Sequence, residues 1–432
     1  MLDIKLIREN SNQVKASEKK RNRDPKLVDE VLKLDLQWKT ELASIEKLKH
    51  QRNVVSQEIN QLKKSGKSAV SKIKQMQSVG EDIKSGEEKV KILLEKRDAA
   101  VKTLGNVMHP KVPPGKDDSQ NVELKKVGKI PKFSFPLKNH VELAEQLGWA
   151  DFDSSAKTSG NGFYFLKGDL ALLNQALIRF TVDFMHSQGY LYIEPPLLIR
   201  KRILEAAIDV QEWDKTIYSI KDEDLALIGT SEHALLGIHS DETLSEKDFP
   251  KKYFSYSMCF RKEVGAHGIN EKGLWRTHQF NKIEQFIFCK PEESDNFFLE
   301  LLNNSEGILK ALGLPYRVIE ICSGDLSLWK QRSYDVEVWR PTTNSYGEVM
   351  SLSNCTDYQA RKLGIKVVYN DGSREVVHTL NNTALATSRI MVALLENFQT
   401  KKGTVKIPQV LGPYMQGKTE LGPIKNEYNL RN

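Results

Sequence analysis

The stretch FRKEVGAHG, residues 260–268, lies between two segments whose composition predicts β-strands. KYFSYSMC at 252–259 precedes it and LWRTHQFNKIEQFIF at 274–288 follows it, and both are rich in the aromatic residues that strands favour. Arg261 and Glu263 stand two residues apart, so their side chains share one face if the first strand continues through them. Two such strands joined by a glycine-containing loop predict an antiparallel pair that ends in charged side chains.

The rest of the region after residue 125 alternates between short apolar runs and helical patterns. Hairpins and long loops connect the strands, which favours a predominantly antiparallel sheet and an α+β domain. The strand predicted at 189–196 ends at Pro195 and Pro196. The predicted helices cover 171–187, 295–312 and 382–397, and the further predicted strands cover 189–196, 316–322 and 333–339.

The first hundred residues carry a different pattern, with apolar residues spaced three and four apart. One run extends over 27–62 and a second over 73–104, and the polar segment KKSGKS at 63–68 separates them. Two long heptad-like helices joined by a short loop predict an antiparallel helical hairpin, which is a coiled-coil arm. Gly80 and Gly86 interrupt the second run, so we expect the middle of that helix to fray.

Basic residues are concentrated near the turn of this hairpin. Residues 47–74 contain only one acid, Glu58, and the excess of positive charge there equals the net charge of +7 of the whole chain. Such a basic zone attracts phosphate backbones, but it is equally compatible with a solvated helical face, and charge alone leaves both interpretations open. The basic zone consists of Lys47, Lys49, Arg52, Lys63, Lys64, Lys67, Lys72 and Lys74.

The composition argues against several classes of protein. Of the 432 residues 28% are charged and 39% are hydrophobic, which is typical of a globular chain with two or three domains. No apolar run approaches the roughly 20 residues of a bilayer span, and the start MLDIK is not a signal core, so we expect a cytoplasmic protein without a membrane partner. The four cysteines are widely spaced, which favours reduced thiols over a zinc site.

Several charged, polar or aromatic residues fall inside otherwise apolar strands and helices. Each taken singly is compatible with an internal ion pair or an edge position, because a buried charge is costly unless it is paired or bound to a ligand. Taken together, they also suit one shared binding site. They are Arg261 with Glu263, Phe280 with Glu284, Glu348 with Ser351, and Arg389.

These residues occur in the order of the motifs of a known family. FRKE at 260–263, followed by RTHQF at 276–280 and then Glu284, resembles motif 2 of the class II aminoacyl-tRNA synthetases. The segment 189–196 resembles motif 1 of that family, and the segment that ends in Arg389 resembles motif 3.

Further segments resemble the seryl-tRNA synthetases within this class. TSE at 230–232 is similar to their serine-binding loop, and SNCTDYQAR at 353–361 is similar to their archaeal and eukaryotic cytosolic branch. MLDIKLIREN at 1–10, together with the helical hairpin, resembles their tRNA-binding arm. The chain departs from the family at Gly347 and Gly412, where arginine is common.

The resemblance implies a fold and a division into domains. The implied fold is an α+β class II catalytic domain on an antiparallel sheet, with the N-terminal antiparallel helical hairpin as its coiled-coil arm. The implied boundaries are 1–108 for the tRNA-binding arm, 109–125 for a linker, 126–415 for the catalytic domain and 416–432 for a polar tail.

The resemblance also implies an activity. The enzyme would be an ATP-dependent ligase that activates L-serine to seryl-adenylate and transfers it to the 3′ end of tRNA(Ser), with tRNA(Sec) as a second candidate acceptor. It would use ATP and Mg²⁺, serve protein biosynthesis in the cytoplasm, form a homodimer through motif 1, and reach the long variable arm of tRNA(Ser) with the basic zone. The alternatives are a catalytically silent paralogue that binds RNA and a ligase that loads an amino acid onto a carrier protein.

The resemblance assigns roles to the candidate ATP-binding residues. Arg261 would grip the α-phosphate and the serine carboxylate, and Arg389 would reach the γ-phosphate, which makes these two the candidate catalytic residues. Phe280 would stack on adenine, and Glu263 would accept a hydrogen bond from the adenine amino group. The implied ATP-binding set is Arg261, Lys262, Glu263, Thr277, His278, Gln279, Phe280, Glu348, Val349, Met350, Ser351 and Arg389.

The same resemblance implies a metal site and an amino-acid pocket. Glu348 and Ser351 would offer hard oxygen ligands to Mg²⁺ bound with ATP. The loop at 265–268 is expected to close over the acceptor end of tRNA. The implied serine-binding residues are Thr230, Ser231, Glu232, Arg261, Glu284 and Thr383.

Overall fold

The computed structural model describes residues 1–208, 212–265 and 272–424 of the chain. The chain divides into two compact units, Met1–Val107 and Met108–Asn432. Among the residues described, none of the helices combines the length and the apolar composition that a bilayer span needs. The loop expected at 265–268 lies outside the described residues from position 266 onward.

The first unit is helical. Its helices are α1 (Ile4–Glu9), α2 (Ser11–Lys20), α3 (Lys26–Lys64) and α4 (Val70–Thr103). Ion pairs join α3 to α4 from Glu58 to Lys72 near the turn and from Lys49 to Glu87 farther along. This order of pairs requires antiparallel helices, so the predicted helical hairpin is confirmed.

The second long helix does not fray at its glycines. Helix α4 continues through Gly80 and Gly86, so the prediction that its middle frays is wrong. Gly86 lies against Ile45 of α3, and a Cβ at this position would come within 2.8 Å of the Cγ1 atom of Ile45. Close packing between the two helices therefore offsets the roughly 1 kcal/mol by which glycine lowers helix stability relative to alanine.

Gly86→Val should destabilise the arm by about 1–3 kcal/mol, because the added side chain collides with Ile45. Gly80→Ala is the matched control, since the part of the structure that is described places no neighbouring atom within 4 Å of the added Cβ. The control should stabilise the helix by about 0.5–1 kcal/mol. Urea unfolding of the full chain, followed by circular dichroism, measures both effects. Equal stability of the two variants would contradict the close packing at Gly86.

The second unit is built on a twisted sheet of mainly antiparallel strands. Its strands are β1 (Val122–Val127), β2 (Ala150–Asp151), β3 (Phe165–Leu166), β4 (Leu191–Tyr192), β5 (Leu198–Arg200), β6 (Leu225–Leu227), β7 (Thr243–Ser245), β8 (Lys251–Phe260), β9 (Gln279–Cys289), β10 (Tyr316–Glu320), β11 (Arg332–Arg340), β12 (Ser345–Thr356), β13 (Lys366–Val368), β14 (Arg374–Val376), β15 (His378–Ala386), β16 (Val405–Lys406) and β17 (Glu420–Leu421). The main sheet has the order β1-β10-β11-β12-β15-β9-β8-β4. Its neighbours pair in antiparallel fashion except β4, which is parallel to β8. The predicted α+β class with an antiparallel sheet is confirmed.

Helices pack on this sheet and enclose the core. They are α5 (His140–Gln146), α6 (Phe152–Ser159), α7 (Gly168–Ser187), α8 (Lys201–Ala207), α9 (Trp213–Thr216), α10 (Ser231–Gly237), α11 (Ser294–Leu312), α12 (Tyr358–Lys362) and α13 (Thr387–Asn397). Helix α11 contacts β12 and β15, and α13 contacts β9 and β11. Trp149, Phe254, Phe298 and Tyr316 are among the large side chains buried in this core. The packed core leaves the ends of the central strands to form a site.

The segment 109–125, which the resemblance implied as a linker, packs on the second unit. Val112 is buried in one cluster with Ile319 and Ile321. The amide of Gly115 donates to Ser323 Oγ at 3.1 Å, and β1 begins inside the segment at residue 122.

Two predicted elements have different boundaries in the structure. The strand predicted at 189–196 is reduced to the two residues of β4. The helix predicted at 382–397 begins only at Thr387, because residues 382–386 complete β15 and pair with β9. Backbone pairing in the buried sheet overrides a helical periodicity that the sequence shows on its own.

The prediction that Arg261 and Glu263 share one face of a strand is wrong. Strand β8 ends at Phe260, and Glu263 adopts a left-handed φ of 50°. Both residues therefore belong to the loop that leaves the strand. The loop directs them by its own hydrogen bonds instead of by the alternation of a strand.

Candidate active site

A cavity of about 410 Å³ opens where β9, β12, β15 and the loop after β8 meet the start of α13. These strands are neighbours in the sheet, in the order β12-β15-β9-β8. Side chains from segments far apart in the sequence therefore converge on one space. Of the candidate residues, those that line the cavity are Thr230, Glu232, Arg261, Glu263, Thr277, Phe280, Glu284, Glu348, Val349, Ser351, Thr383 and Arg389.

Arg261 is held at one end of the cavity. Its Nε donates a hydrogen bond to the carbonyl oxygen of Gly229 at 3.0 Å. Its guanidinium carbon lies 5.3 Å from the centre of the Phe280 ring, which is within the range of a cation–π contact. The planar fork is thus positioned before any ligand binds, and such a fork suits phosphate or carboxylate oxygens.

A buried polar cluster forms the floor of the cavity beside Arg261. The ammonium of Lys282 lies 2.5 Å from Glu284 Oε2 and donates to Thr230 Oγ1 at 3.0 Å. Thr230 Oγ1 in turn lies 3.5 Å from Glu284 Oε2. Lys282 and Glu284 alternate on one face of β9, so the strand itself places both side chains in the cavity.

The carboxyl group of Glu284 is almost fully enclosed, with 1% of its surface exposed. Burial raises the pKa of Glu284 to about 6, and the Lys282 ammonium opposes this shift. The group is thus largely ionised at pH 7. An ionised carboxylate in an enclosed pocket is able to accept hydrogen bonds from a ligand ammonium or hydroxyl group.

Two side-chain amides hold Glu232, which lines the same cavity. Its Oε1 accepts hydrogen bonds from Gln359 Nε2 at 3.0 Å and from Asn381 Nδ2 at 3.1 Å. Burial, together with the positive charges of Arg261 and Lys282, lowers the pKa of the neighbouring His233 to about 3. The imidazole is therefore neutral near pH 7. It adds no positive charge to the pocket that contains the carboxylates of Glu232 and Glu284.

Arg389 lies at the other end of the cavity, on the first turn of α13. Its Nη1 donates to the carbonyl oxygen of Glu348 at 2.8 Å and lies 3.3 Å from Glu348 Oε2. Its Nε donates to the carbonyl oxygen of Trp275 at 3.4 Å. The Glu348 side chain is 45% exposed, and the positive charges of Arg389 and Arg261 hold its pKa below its usual value. Both arginines therefore bring positive charge to the same cavity.

Comparison with known proteins decides the family. Residues 216–398 match the model of the tRNA synthetase class II core domain (G, H, P, S and T), and residues 1–108 match the seryl-tRNA synthetase N-terminal domain. The serine–tRNA ligase of Methanocella arvoryzae is 44% identical over 421 residues, which cover 96% of this chain and 99% of that protein. The chain belongs to the seryl-tRNA synthetase family.

Solved structures of seryl-tRNA synthetases share the fold. The enzyme from Pyrococcus horikoshii, solved in complex with ATP, aligns with a TM-score of 0.94 and 41% identity over 98% of this chain and 100% of that chain. The cytoplasmic serine–tRNA ligase from Naegleria fowleri, solved in complex with AMP, aligns with a TM-score of 0.89 and 32% identity over 98% and 99% of the two chains. The resemblance of the motifs to the seryl-tRNA synthetases is thus confirmed.

Some residues that the family motifs suggested do not line the cavity. Ser231 donates to the carbonyl oxygen of Ser255, and Met350 is part of the buried core. Lys262 and Gln279 point to Asp214 and Met258 respectively, and His278 bonds the carbonyl oxygen of Arg261. Their side chains lie behind or beside the cavity. A direct role for them in a seryl-tRNA synthetase stays a prediction.

The corner of the cavity near Glu348 is rich in side-chain oxygen atoms. Asp335 on β11 stands opposite Ser351 on β12, and Glu348 lies on the same strand as Ser351. Asp335 Oδ1 is buried and makes no hydrogen bond to any residue that the structure describes. Burial and the charge of Glu348 raise the pKa of Asp335 to about 7. Buried carboxylate and hydroxyl oxygens without full hydrogen bonding are ligands of the kind that Mg²⁺ prefers.

The sequence motifs missed several residues that the seryl-tRNA synthetase fold brings to the cavity. Lys282 could have been found, because it alternates with Phe280 and Glu284 on the face of β9. Trp275 carries no such signal, since it belongs to an irregular loop. Asp335 does not line the cavity itself but stands opposite Ser351, on the strand β11 that is next to β12 in the sheet. Only the fold places them against the motif residues.

Proposed function

We propose that this chain activates L-serine with ATP to form seryl-adenylate and then transfers the seryl group to the 3′ end of tRNA(Ser). The observation that carries the proposal is the arrangement of one cavity. It joins the Arg261–Phe280 pair, the Arg389–Glu348 pair and the enclosed Thr230–Lys282–Glu284 cluster. Serine–tRNA ligases that match this chain over nearly its whole length support it.

Formation of the adenylate needs alignment more than proton transfer. The serine carboxylate is ionised at pH 7 and attacks the α-phosphorus of ATP, while the bond to the bridging oxygen of diphosphate breaks. We assign to Arg261, which is oriented by its bond to Gly229, the neutralisation of charge on the α-phosphate and the orientation of the carboxylate. We assign to Arg389, which is oriented by its bond to Glu348, the binding of the terminal phosphate oxygens, which become the leaving diphosphate.

The adenine end of ATP has a stacking surface in Phe280. The ring carries the Arg261 guanidinium over one part of its surface, so base and phosphate sites are adjacent. Glu263, expected to bind the adenine amino group, is fixed by Arg276 Nη1 at 2.6 Å. This ion pair keeps the carboxylate at the cavity wall, and its second oxygen is the acceptor that we assign to adenine.

Glu348 and Ser351 are the residues that we assign to Mg²⁺, with Asp335 behind them. The ion would neutralise phosphate charge when bound with ATP. The chain itself prepares this corner, because Arg389 keeps Glu348 ionised.

The amino-acid pocket has a basis for selecting serine. Glu284, Glu232 and Thr230 present hydrogen-bonding groups inside an enclosed cavity, with Thr383 at its edge. When alanine enters such a site, the groups that would bind the serine hydroxyl stay unpaired. Binding of alanine is then less favourable than binding of serine, by on the order of several kcal/mol. Threonine has the hydroxyl, so it must be rejected by the shape of the pocket.

The helical arm is the part that we assign to tRNA. The basic zone lies at the turn between α3 and α4, and lysines bind RNA through its phosphates and shape, not through its base sequence. We assign this zone to the long variable arm of tRNA(Ser), and tRNA(Sec) is a second candidate acceptor. We further assign a homodimer formed through the segment 189–196 and domain boundaries at 108 and 415. We also assign a cytoplasmic location, because the Naegleria fowleri relative is a cytoplasmic enzyme.

One assay distinguishes the proposed function from its alternatives. ATP–diphosphate exchange is measured side by side with serine, alanine, glycine and threonine. Exchange with serine alone, followed by charging of tRNA(Ser), is the expected result. No exchange with any of the four would identify a silent paralogue that binds RNA, and preference for a small apolar amino acid would identify a carrier-protein ligase.

Serine-dependent exchange should fall as the pH drops through about 6, because Glu284 becomes protonated there. Burial raises the pKa of this acid, so the ionised form needed for serine binding is lost on the acid side at a higher pH than for an ordinary glutamate. The measurement is KM for serine between pH 5 and 8 at saturating ATP. The affinity for AMP without serine serves as the control and should not follow the same curve. An unchanged KM for serine at pH 5 would contradict the role of Glu284.

A further inference from the structure

The buried carboxylate of Glu396 connects three segments of the chain near the part of the cavity that contains Arg389. Glu396 on α13 has no exposed surface. Arg340 at the end of β11 binds it with both branches of its guanidinium, at 2.8 Å from Nη2 to Oε1 and 3.3 Å from Nε to Oε2. His140 Nδ1 lies 3.4 Å from the same Oε1. A bidentate pair of this kind fixes the plane of the arginine side chain.

His140 extends this connection to the loop between β8 and β9. The amide of Leu274 donates to His140 Nε2 at 3.2 Å, so that nitrogen is an acceptor. His140 thus links the backbone at Leu274, one residue before Trp275, to Glu396 by proximity, although its Nδ1 makes no hydrogen bond to the residues that the structure describes.

Arg340 fixes the side chain of Trp275 directly. Its guanidinium carbon lies 4.3 Å from the centre of the Trp275 ring, and that of Arg389 lies 5.5 Å from the same centre. The ring also packs closely on Gly347, where a Cβ would come within 2.5 Å of Trp275 Cζ2. Trp275 is therefore held by Arg340 at the end of β11 and by the backbone of β12 at Gly347.

Arg389 depends on Trp275 for two of its contacts. The Trp275 ring provides a cation–π surface, and the Trp275 carbonyl oxygen accepts a hydrogen bond from Arg389 Nε. From these contacts we infer that Arg340, Trp275 and Glu396 are positioning residues that hold Arg389 ready for the β- and γ-phosphates of ATP. This inference rests on the proposed function, because it deepens the role assigned to Arg389.

The inference predicts an effect on ATP that AMP does not share, since AMP lacks the phosphates that Arg389 would bind. In Arg340→Met and in Trp275→Leu the affinity for ATP should fall about 10-fold. This is the effect expected when a cation–π contact is lost together with the orientation that it gives to the Arg389 guanidinium. Affinity for AMP and KM for serine should stay within about twofold of the wild-type values. KM for diphosphate in the exchange reaction should rise together with KM for ATP.

Titration calorimetry with ATP and with AMP, and exchange kinetics with each substrate varied, measure these effects on the full chain. Trp275→Phe keeps an aromatic ring and should retain most of the ATP affinity. Arg179→Met is the matched control, because Arg179 is an exposed arginine on α7 that pairs with Asp183 within the same helix. It should leave both nucleotides unaffected.

Three outcomes separate the possibilities. A selective loss of ATP affinity in Arg340→Met and Trp275→Leu, with recovery in Trp275→Phe, supports the positioning role. Equal losses for ATP and AMP, or a lower melting temperature with unchanged affinities, would overturn it and leave a structural role only. The wild-type chain tests the proposed function separately, because absence of serine-dependent exchange there would contradict that function whatever the variants do.

Discussion

Glu284→Gln should lower kcat/KM for serine in ATP–diphosphate exchange by a factor on the order of 100 to 1,000, with ATP binding unchanged. Glu284 is enclosed with Lys282 and Thr230 and is the ionised acceptor at the floor of the cavity. Glutamine has nearly the same shape but no charge, so a substrate ammonium loses a charge-assisted bond worth about 1.5–3 kcal/mol. The larger factors arise because the Lys282 ammonium is left beside a neutral group.

A second variant separates those two causes. In Lys282→Met with Glu284→Gln the buried ammonium is removed together with its partner, so no uncompensated charge remains. Exchange should stay low if Glu284 binds serine. If the double variant recovered most of the activity, the loss in the single variant would come from the unpaired lysine. Glu205→Gln, an exposed position on α8, is the matched control and should behave like the wild type.

The direct measurements are exchange with serine as the varied substrate and calorimetry of ATP without serine. Circular dichroism confirms that the variant is folded. Near wild-type exchange by Glu284→Gln would contradict the assignment of the serine pocket. Because ATP binding is measured separately, a general loss of the site would be recognised as such.

Shortening the helical arm should abolish charging of tRNA(Ser) and leave seryl-adenylate formation intact. A suitable deletion replaces residues 50–81 with a short glycine–serine linker. The shortened hairpin keeps the contact of Ile45 with Ile83 and Gly86, so its two helices still have a packed interface. The deletion removes Arg52, Lys63, Lys64, Lys67, Lys72 and Lys74 from the basic zone.

A charge-only variant tests the same surface without removing structure. Replacing Lys63, Lys64 and Lys67 with glutamine should weaken tRNA(Ser) binding and reduce the slope of log affinity against log salt by roughly 2. The matched control replaces Lys84, Lys91 and Lys96, which are exposed on α4 away from the turn. Charging at wild-type rates by the deletion variant, or equal effects of the two triple variants, would contradict the assignment of the basic zone.

The sequence predicted the elements of this fold better than their ends. The helical hairpin and the antiparallel sheet follow from periodicity, because both depend on patterns that repeat over many residues. The segment 382–386 was predicted as helix although it lies in β15, since only its pairing with β9 decides its conformation. Gly86 was predicted to weaken α4, and the reason that it does not is the side chain of Ile45 on another helix.

The residues of the candidate site divide in the same way, into those that sequence patterns reveal and those that only the fold reveals. Arg261, Phe280, Glu284 and Arg389 belong to motifs with recognisable spacing, and the fold brings all four to one cavity. Residues that act through contacts across the fold, such as Trp275, have no periodic signal in the chain. Even Glu263, which the motif includes, takes its position from an ion pair that no spacing rule contains. Their roles follow only from distances.

Gly347 and Trp275 share one space, so the effects of substitutions at the two positions should not be additive. Any side chain at 347 would place its Cβ 2.5 Å from Trp275 Cζ2 and 3.3 Å from Arg340 Cδ, so the indole ring would have to move. A larger residue at 347 should therefore cost less stability when position 275 carries a smaller side chain. The two sites form an epistatic pair.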